Sequence, residues 1–243
     1  MINKDFSEAV SDLKQKFLEM GFSEEPSHKY EFMIESINDW SELSTLDDVN
    51  SWFEICREDY GLDVAEIPLD QCRNWEFNNN EISHSSGKFY FVQGIRVLSS
   101  KGREIESGWD QPMLTQVGND GGILGLLRVK INSIPYYLVE AKAEPGNPDI
   151  IQISPTLQAT FSNIETAHGG RKPFFADLFV DAHENRSENK VIFNQWMSED
   201  GGRLFKKRNK GIVLEVSKID NYKNLPNNFK LLSLFQIKYL ISK

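Results

Sequence analysis

Residues 123–129 read ILGLLRV and residues 136–143 read YYLVEAKA. Both are of strand length and largely apolar, and each is a candidate for a buried strand. Upstream, FYFVQGIRV (89–97) predicts another strand, and SSKGRE after it a turn. NNNEISHSSGK (78–88) reads as a polar turn region. The character changes before Trp75. Phe6, Val10, Leu13 and Phe17 share one helical stripe, with Asn3 or Asp5 as cap and Gly21 as stop. A second helical segment spans roughly 30–40. A third begins near Ser44–Thr45, with Asp47 and Asp48 suited to its first turn and Leu46, Val49, Phe53 and Cys56 on its apolar side. At the other end, NFKLLSLFQIKYLIS (228–242) places Phe229, Leu232, Phe235 and Tyr239 on one face and predicts a closing amphipathic helix. The fold class is therefore α+β: a helical region over 1–66, then a mixed sheet flanked by helices over 67–243.

The 243 residues are enough to bury a core without disulfides. Cys56 and Cys72 sit in no CxxC or Cys/His cluster, which removes a zinc ribbon and favours two reduced thiols. The net charge of −9 repels nucleic acid and anionic membranes, so neither is an expected partner. The first residues lack the basic start and apolar run of a secretion signal, and no stretch approaches the roughly 20 apolar residues of a membrane span. A cytoplasmic location is the expectation.

Alternation in PYYLVEAKAEPG (135–146) sets Tyr136, Leu138, Glu140, Lys142 and Glu144 on one face and Tyr137, Val139, Ala141 and Ala143 on the other. Three ionisable groups then share a face over an apolar backing. They could be acid and base, or a structural ion-pair row. In IIQISPTLQAT (150–160), Gln152, Ser154, Thr156, Gln158 and Thr160 alternate with apolar residues, with Pro155 as an interruption. Two such polar rows side by side would wall a site for a polyhydroxylated ligand. His168 follows, beside Gly169, Gly170 and Arg171, where backbone N–H groups and a cation suit an anion. Arg203, Lys206, Lys207, Arg208 and Lys210 place five of the 27 basic residues in one short run. That run is either a solvated face or a diphosphate site. No P-loop, GxGxxG, GxSxG or HExxH is present, so neither a Walker nor a Rossmann mode nor a zincin centre is indicated.

GWDQPMLTQ (108–116), GILGLL (122–127), VEAKAEPGNPD (139–149), QISPTLQATFSN (152–163), AHGG (167–170) and GGRLFKKRNKG (201–211), in this order and spacing, resemble the signature blocks of the NDP-hexose 2,3-dehydratases. The resemblance runs from about Ile67 to Tyr239. It implies a Nudix-like fold and a dTDP-linked 4-keto-6-deoxy sugar as substrate. The implied reaction is loss of the C2 hydroxyl to a 2-deoxy-3,4-diketo sugar, a lyase step in deoxysugar biosynthesis. That step is redox-neutral, so no cofactor and no metal is expected. By the same resemblance Glu140, Glu144 or His168 supplies base and acid, and Lys142 steadies the enolate or tunes a neighbouring carboxylate. Trp109 stacks on thymine, with Gln111, Asn147, Ser162 and Asn163 as further contacts, and Arg203, Lys207 and Arg208 hold the diphosphate. Family members are typically twice as long, built of two homologous halves. A homodimer would replace the second half, and an NADPH-dependent 3-ketoreductase would act downstream. Phe161 stands where the family usually has a basic residue, and the Nudix box is absent, which argues against pyrophosphate hydrolysis. The alternatives are a non-catalytic nucleotide-sugar-binding protein or subunit, and a 4-keto-sugar isomerase.

Overall fold

The structure, a computed structural model, describes residues 5–59, 61–78, 80–102, 105–119, 121–166, 169–199, 202–219 and 224–243. Helices α1 (Phe6–Glu19), α2 (Ser27–Glu35) and α3 (Leu46–Asp59) form the N-terminal part as the spacing predicts. Asp5 caps α1 by accepting from the Glu8 N–H at 2.7 Å. Asn3, the alternative cap, lies outside the described residues. Gly21 follows the helix at φ 85°, a left-handed position that suits glycine.

Strands β1 (Trp75–Asn78), β2 (Glu81–His84), β3 (Tyr90–Val97) and β4 (Trp109–Gln116) make an antiparallel outer sheet in sequence order. The polar region 78–88 is thus not only a turn. Ile82 and Ser83 pair with Val92 and Phe91, and backbone pairing holds β2 with little apolar burial.

The main sheet is built on β5 (Gly122–Ile131) and β6 (Ile134–Ala143), with β7 (Ile151–Pro155) and β8 (Leu157–Thr160). Strands β9 (Lys190–Ser198), β10 (Arg208–Val216) and β11 (Phe229–Leu232) complete it. The order runs β11–β6–β5–β10–β9, and only the β5–β10 pair among these is parallel. Helical turn α4 (Phe161–Ile164) follows β8, α5 (Ala176–His183) covers one face, and α6 (Leu234–Ile241) closes the chain.

The predicted helix over 228–242 is corrected here. Residues 229–232 are strand β11, paired with Tyr137–Glu140 of β6, and the helix starts only after Ser233. Ser233 and Gln236 form a reciprocal capping box, which fixes that start.

Ile123, Leu127, Tyr136, Leu138 and Phe179 are fully buried in the principal core, and Phe6 of α1 joins them. Each such aliphatic side chain contributes about 1.5–3 kcal/mol. On the other face, Val49 of α3 packs with Val139 and Leu232, and Cys56 packs with Ala141 and Ile151. Both cysteines are free thiols.

A buried charge cluster ties α2 to the sheet. The Arg128 guanidinium donates to Glu31 at 2.5 Å, to Tyr137 Oη at 3.2 Å and to Glu215, and lies 3.8 Å from Glu35. Burial pushes the Glu35 carboxyl up to about 7, even though Arg128 and the Tyr137 hydroxyl pull the other way. Burial also pushes Glu31 up, but its bonds to Lys130 and Arg128 outweigh that and hold it below its ordinary value.

Candidate active site

The site exists because β5 and β6 part company. Leu127–Ile131 pairs with Ile134–Leu138, but beyond Leu138 the partner of β6 is β7, and before Leu127 the partner of β5 is β8. One segment, 151–160, therefore fills the fork, bending at Thr156. The Thr156 hydroxyl accepts from Leu127 N–H at 2.9 Å and donates to Leu138 C=O, which satisfies the two backbone groups that separation leaves open.

The bend also breaks the single polar row expected over 152–160. Ile151 and Ile153 pack toward α3, whereas Leu157 and Ala159 join the principal core. The apolar residues change side because the strand changes partner. Ser154 and Gln158 meet across the bend at 3.2 Å.

A cavity of about 340 Å³ lies at the fork, lined among others by Glu140, Lys142, Gln158, Asn163, Arg171 and Phe174. It adjoins a cleft of about 830 Å³, and the two share Lys142, Gln158, Ala159 and Asn163. The larger cleft lies where the outer sheet meets the main sheet: Tyr90 and Gln116 from one side, Leu124 and Lys207 from the other.

Glu140, Lys142 and Glu144 come together as the alternation predicts. The Lys142 ammonium lies 3.0 Å from Glu144 and donates to the Gln158 carbonyl at 3.2 Å. Glu140 is the most enclosed of the acids. Burial pushes its carboxyl up, and Lys142 and the Asn228 amide, donating at 3.1 Å, pull it partly back. Thr156, Gly170 and Arg171 line the cavity, Thr160 and Ser162 the cleft, and Gln158 and Asn163 both. Thr160 caps α4 and bonds Ser162 at 2.9 Å.

Other expected contacts lie elsewhere. Trp109 and Gln111 bond each other at 2.8 Å at the far end of β4, roughly 23 Å along the strand from Gln116. Asn147 closes the turn after β6 by donating to Ile150 C=O at 3.1 Å. Gln152 is exposed at the edge of a groove beside α3, and Gly169 lies in a turn, its N–H donating to Thr166 C=O. His168 lies outside the described residues.

The basic run is divided. Lys207 is buried, donates to Gln116 Oε1 and faces the cleft. Arg208 instead stacks on Trp196 with its guanidinium carbon 4.3 Å from the ring centroid, and Lys210 approaches the same ring. Strand alternation at the start of β10 sends 207 and 208 to opposite sides, and Arg203 is exposed in the preceding turn.

Sequence reasoning missed Asn228, Phe229, Phe174, Tyr90 and Gln116. Asn228 and Phe229 were hidden by the helical reading of 228–242. The Ser233–Gln236 capping spacing was the signal that could have released them.

These features define an α+β domain whose sheet opens into a cleft lined by both polar and apolar side chains. The chain belongs to the NDP-hexose 2,3-dehydratase family, whose model it matches over residues 46–243. It is 35% identical over 157 residues to a dTDP-4-dehydro-6-deoxy-α-D-glucopyranose 2,3-dehydratase of Saccharopolyspora spinosa, covering 64% of this chain and 31% of that protein. Relatives of the same name from Amycolatopsis orientalis and Streptomyces violaceoruber are 32% and 31% identical, covering 80% and 69% of this chain. The chain spans 41% and 37% of their lengths. Ap4A hydrolase of C. elegans overlays half of this chain at a TM-score of 0.30 and 13% identity, too slight a likeness to bear on the fold. No described helix is long and apolar enough to cross a membrane.

Proposed function

We propose that this chain is a hydro-lyase that removes water across C2 and C3 of a dTDP-linked 4-keto-6-deoxy sugar. Residues 67–243 are its nucleotide-sugar-binding unit, Nudix-like by family resemblance. The C4 ketone acidifies the C3 proton. A base removes that proton, the electrons move toward the C4 oxygen, and the C2 hydroxyl leaves as water once protonated. The enol product tautomerises to the 2-deoxy-3,4-diketo sugar. Nothing is oxidised or reduced overall, so the residues of the cleft suffice in principle.

The observation that carries the reading is the enclosure of Glu140 beside Lys142 in one cavity. A carboxyl raised by burial holds its proton more readily than an ordinary carboxyl, which suits proton transfer at C3 or C2. Lys142, an ammonium fixed by Glu144 and Gln158, is oriented to meet a developing enolate oxygen. The names of the relatives support the substrate class. We infer further that the protein works in the cytoplasm as a homodimer, and that an NADPH-dependent ketoreductase consumes the reactive diketone.

Incubation with dTDP-4-keto-6-deoxyglucose in deuterated water tests the reading by mass. Loss of one water with deuterium uptake is expected. Uptake without water loss would make the protein an isomerase. Neither change, with binding intact, would leave a nucleotide-sugar-binding protein or subunit.

A further inference from the structure

Two aromatic rings in the small cavity have no part in the proton chemistry. Phe229 opens β11 and lies directly opposite Glu140 in the antiparallel register, with Ser154 opposite Glu140 on its other side. Directly opposed residues share a face, so ring, carboxyl and hydroxyl stand in one row across three strands, with about 5 Å between neighbouring Cβ atoms. Phe174 meets Phe229 edge to face at 5.8 Å between centroids. Phe174 is nevertheless 51% exposed, and both rings line the cavity rather than the core alone. An exposed ring held against a second ring beside an enclosed carboxyl sets an apolar surface next to the polar groups of the site.

The proposed reaction fixes what that surface would meet. Glu140 must reach C3 or the C2 oxygen of the sugar. C6 is three bonds from C3, so a ring standing next to Glu140 is within reach of the C6 substituent. The cleft that adjoins the cavity is more than twice its volume and carries Lys88 and Lys207, which suits the nucleoside diphosphate and leaves the small cavity to the sugar. Resting on the function proposed above, we propose that Phe174 and Phe229 form a specificity wall for the sugar's C6 methyl group. The wall favours 6-deoxy sugars over those with a C6 hydroxyl, because a hydroxyl against two rings loses its water without gaining a partner.

Calorimetric titration with dTDP-glucose and dTDP-6-deoxyglucose tests this without turnover, since neither has the ketone. The protein should bind the 6-deoxy ligand roughly tenfold more tightly, a modest preference of the kind an apolar surface achieves against an added hydroxyl. Phe174→Ala should erase most of that preference while leaving the affinity for dTDP alone unchanged. Phe229→Leu, which keeps apolar bulk at a position with more packing neighbours, should reduce it partially. Equal affinity of the unmodified protein for the two sugars would overturn the proposal. A preference that survives Phe174→Ala would overturn it as well. A fall in affinity for dTDP alone in that variant would also overturn it, by making the wall a base-stacking surface. Failure of the parent protein to bind dTDP or either sugar would sink the proposed function itself, a result distinct from all of these.

Discussion

The two sheets of this molecule are held together in different ways. In the main sheet, Ile123, Leu127, Leu138 and Leu214 are fully buried, and both faces are covered. In the outer sheet, Phe77 is 64% exposed and β2 is half-buried throughout. Burial rises only toward the end of β4, at Thr115 and Gln116, where Phe205 and Lys207 meet it. Their ion pairs differ in the same way. Arg128 is enclosed by three carboxylates, while the Arg96–Asp110 pair of the outer sheet is bathed in solvent and adds little. The lesson is a division of labour. Glu140 and Lys142 stand on the buried sheet, and the outer sheet lends the cleft a wall through one anchored edge.

If that division is right, the largest effect belongs to the buried sheet. Glu140→Gln should lower turnover by roughly 10²–10⁴-fold with dTDP affinity nearly unchanged. Steady-state kinetics beside calorimetry would decide, and full turnover would move the chemistry off β6.

Stability should divide along the same line. Leu138→Ala should cost about 2–5 kcal/mol in denaturant unfolding, and Phe77→Ala no more than about 0.5 kcal/mol. Equal losses would mean that the outer sheet is covered in solution.

At the junction, Lys207→Ala should weaken dTDP binding by about 1.5–3 kcal/mol, the range of a charge-assisted hydrogen bond, while Arg208→Ala leaves it unaltered. Matching losses would show that the whole basic run faces the ligand after all.

The smallest effect is one of pH. Glu35 is raised in the folded state from an ordinary 4.5 to about 7, so the native protein binds its proton more tightly than the unfolded chain does. The resulting stability is complete below about pH 4.5 and is lost as pH rises through 7, on the order of 1–3 kcal/mol. Glu31, lowered by Lys130 and Arg128 against its burial, acts in the opposite sense at more acid pH. Glu35→Gln should flatten the slope between pH 5 and 7, and an unchanged slope would assign it to another group.

The strands at 123–129 and 136–143 were legible because both faces of the main sheet are packed, so the runs read as continuously apolar. The Glu140–Lys142–Glu144 row followed from strand alternation alone. β2 was not legible, because a half-exposed strand held by backbone pairing leaves almost no hydrophobic signature in EISH. The break at Thr156 was legible only as the Pro155 interruption: the polar residues continue past it in sequence, while their neighbours change from β6 to β5. The place of Trp109 was not legible for a related reason, since its block fixes the residue types but not which end of β4 approaches the cleft. Arg128 was passed over within ILGLLRV, although a lone charge in an apolar run was the available signal of the buried cluster.

Thr156 has a consequence for inheritance. Its hydroxyl alone answers an amide of one strand and a carbonyl of the next, so the position ranks chemistry above shape. Serine, which is smaller but carries the same group, is the replacement that lineages should accept there. Valine, the same in outline, would leave two buried backbone groups without partners. A library of all substitutions at this codon, sorted for folded protein, would then keep threonine and serine and discard the isostere, an inversion of the usual tolerance inside a core.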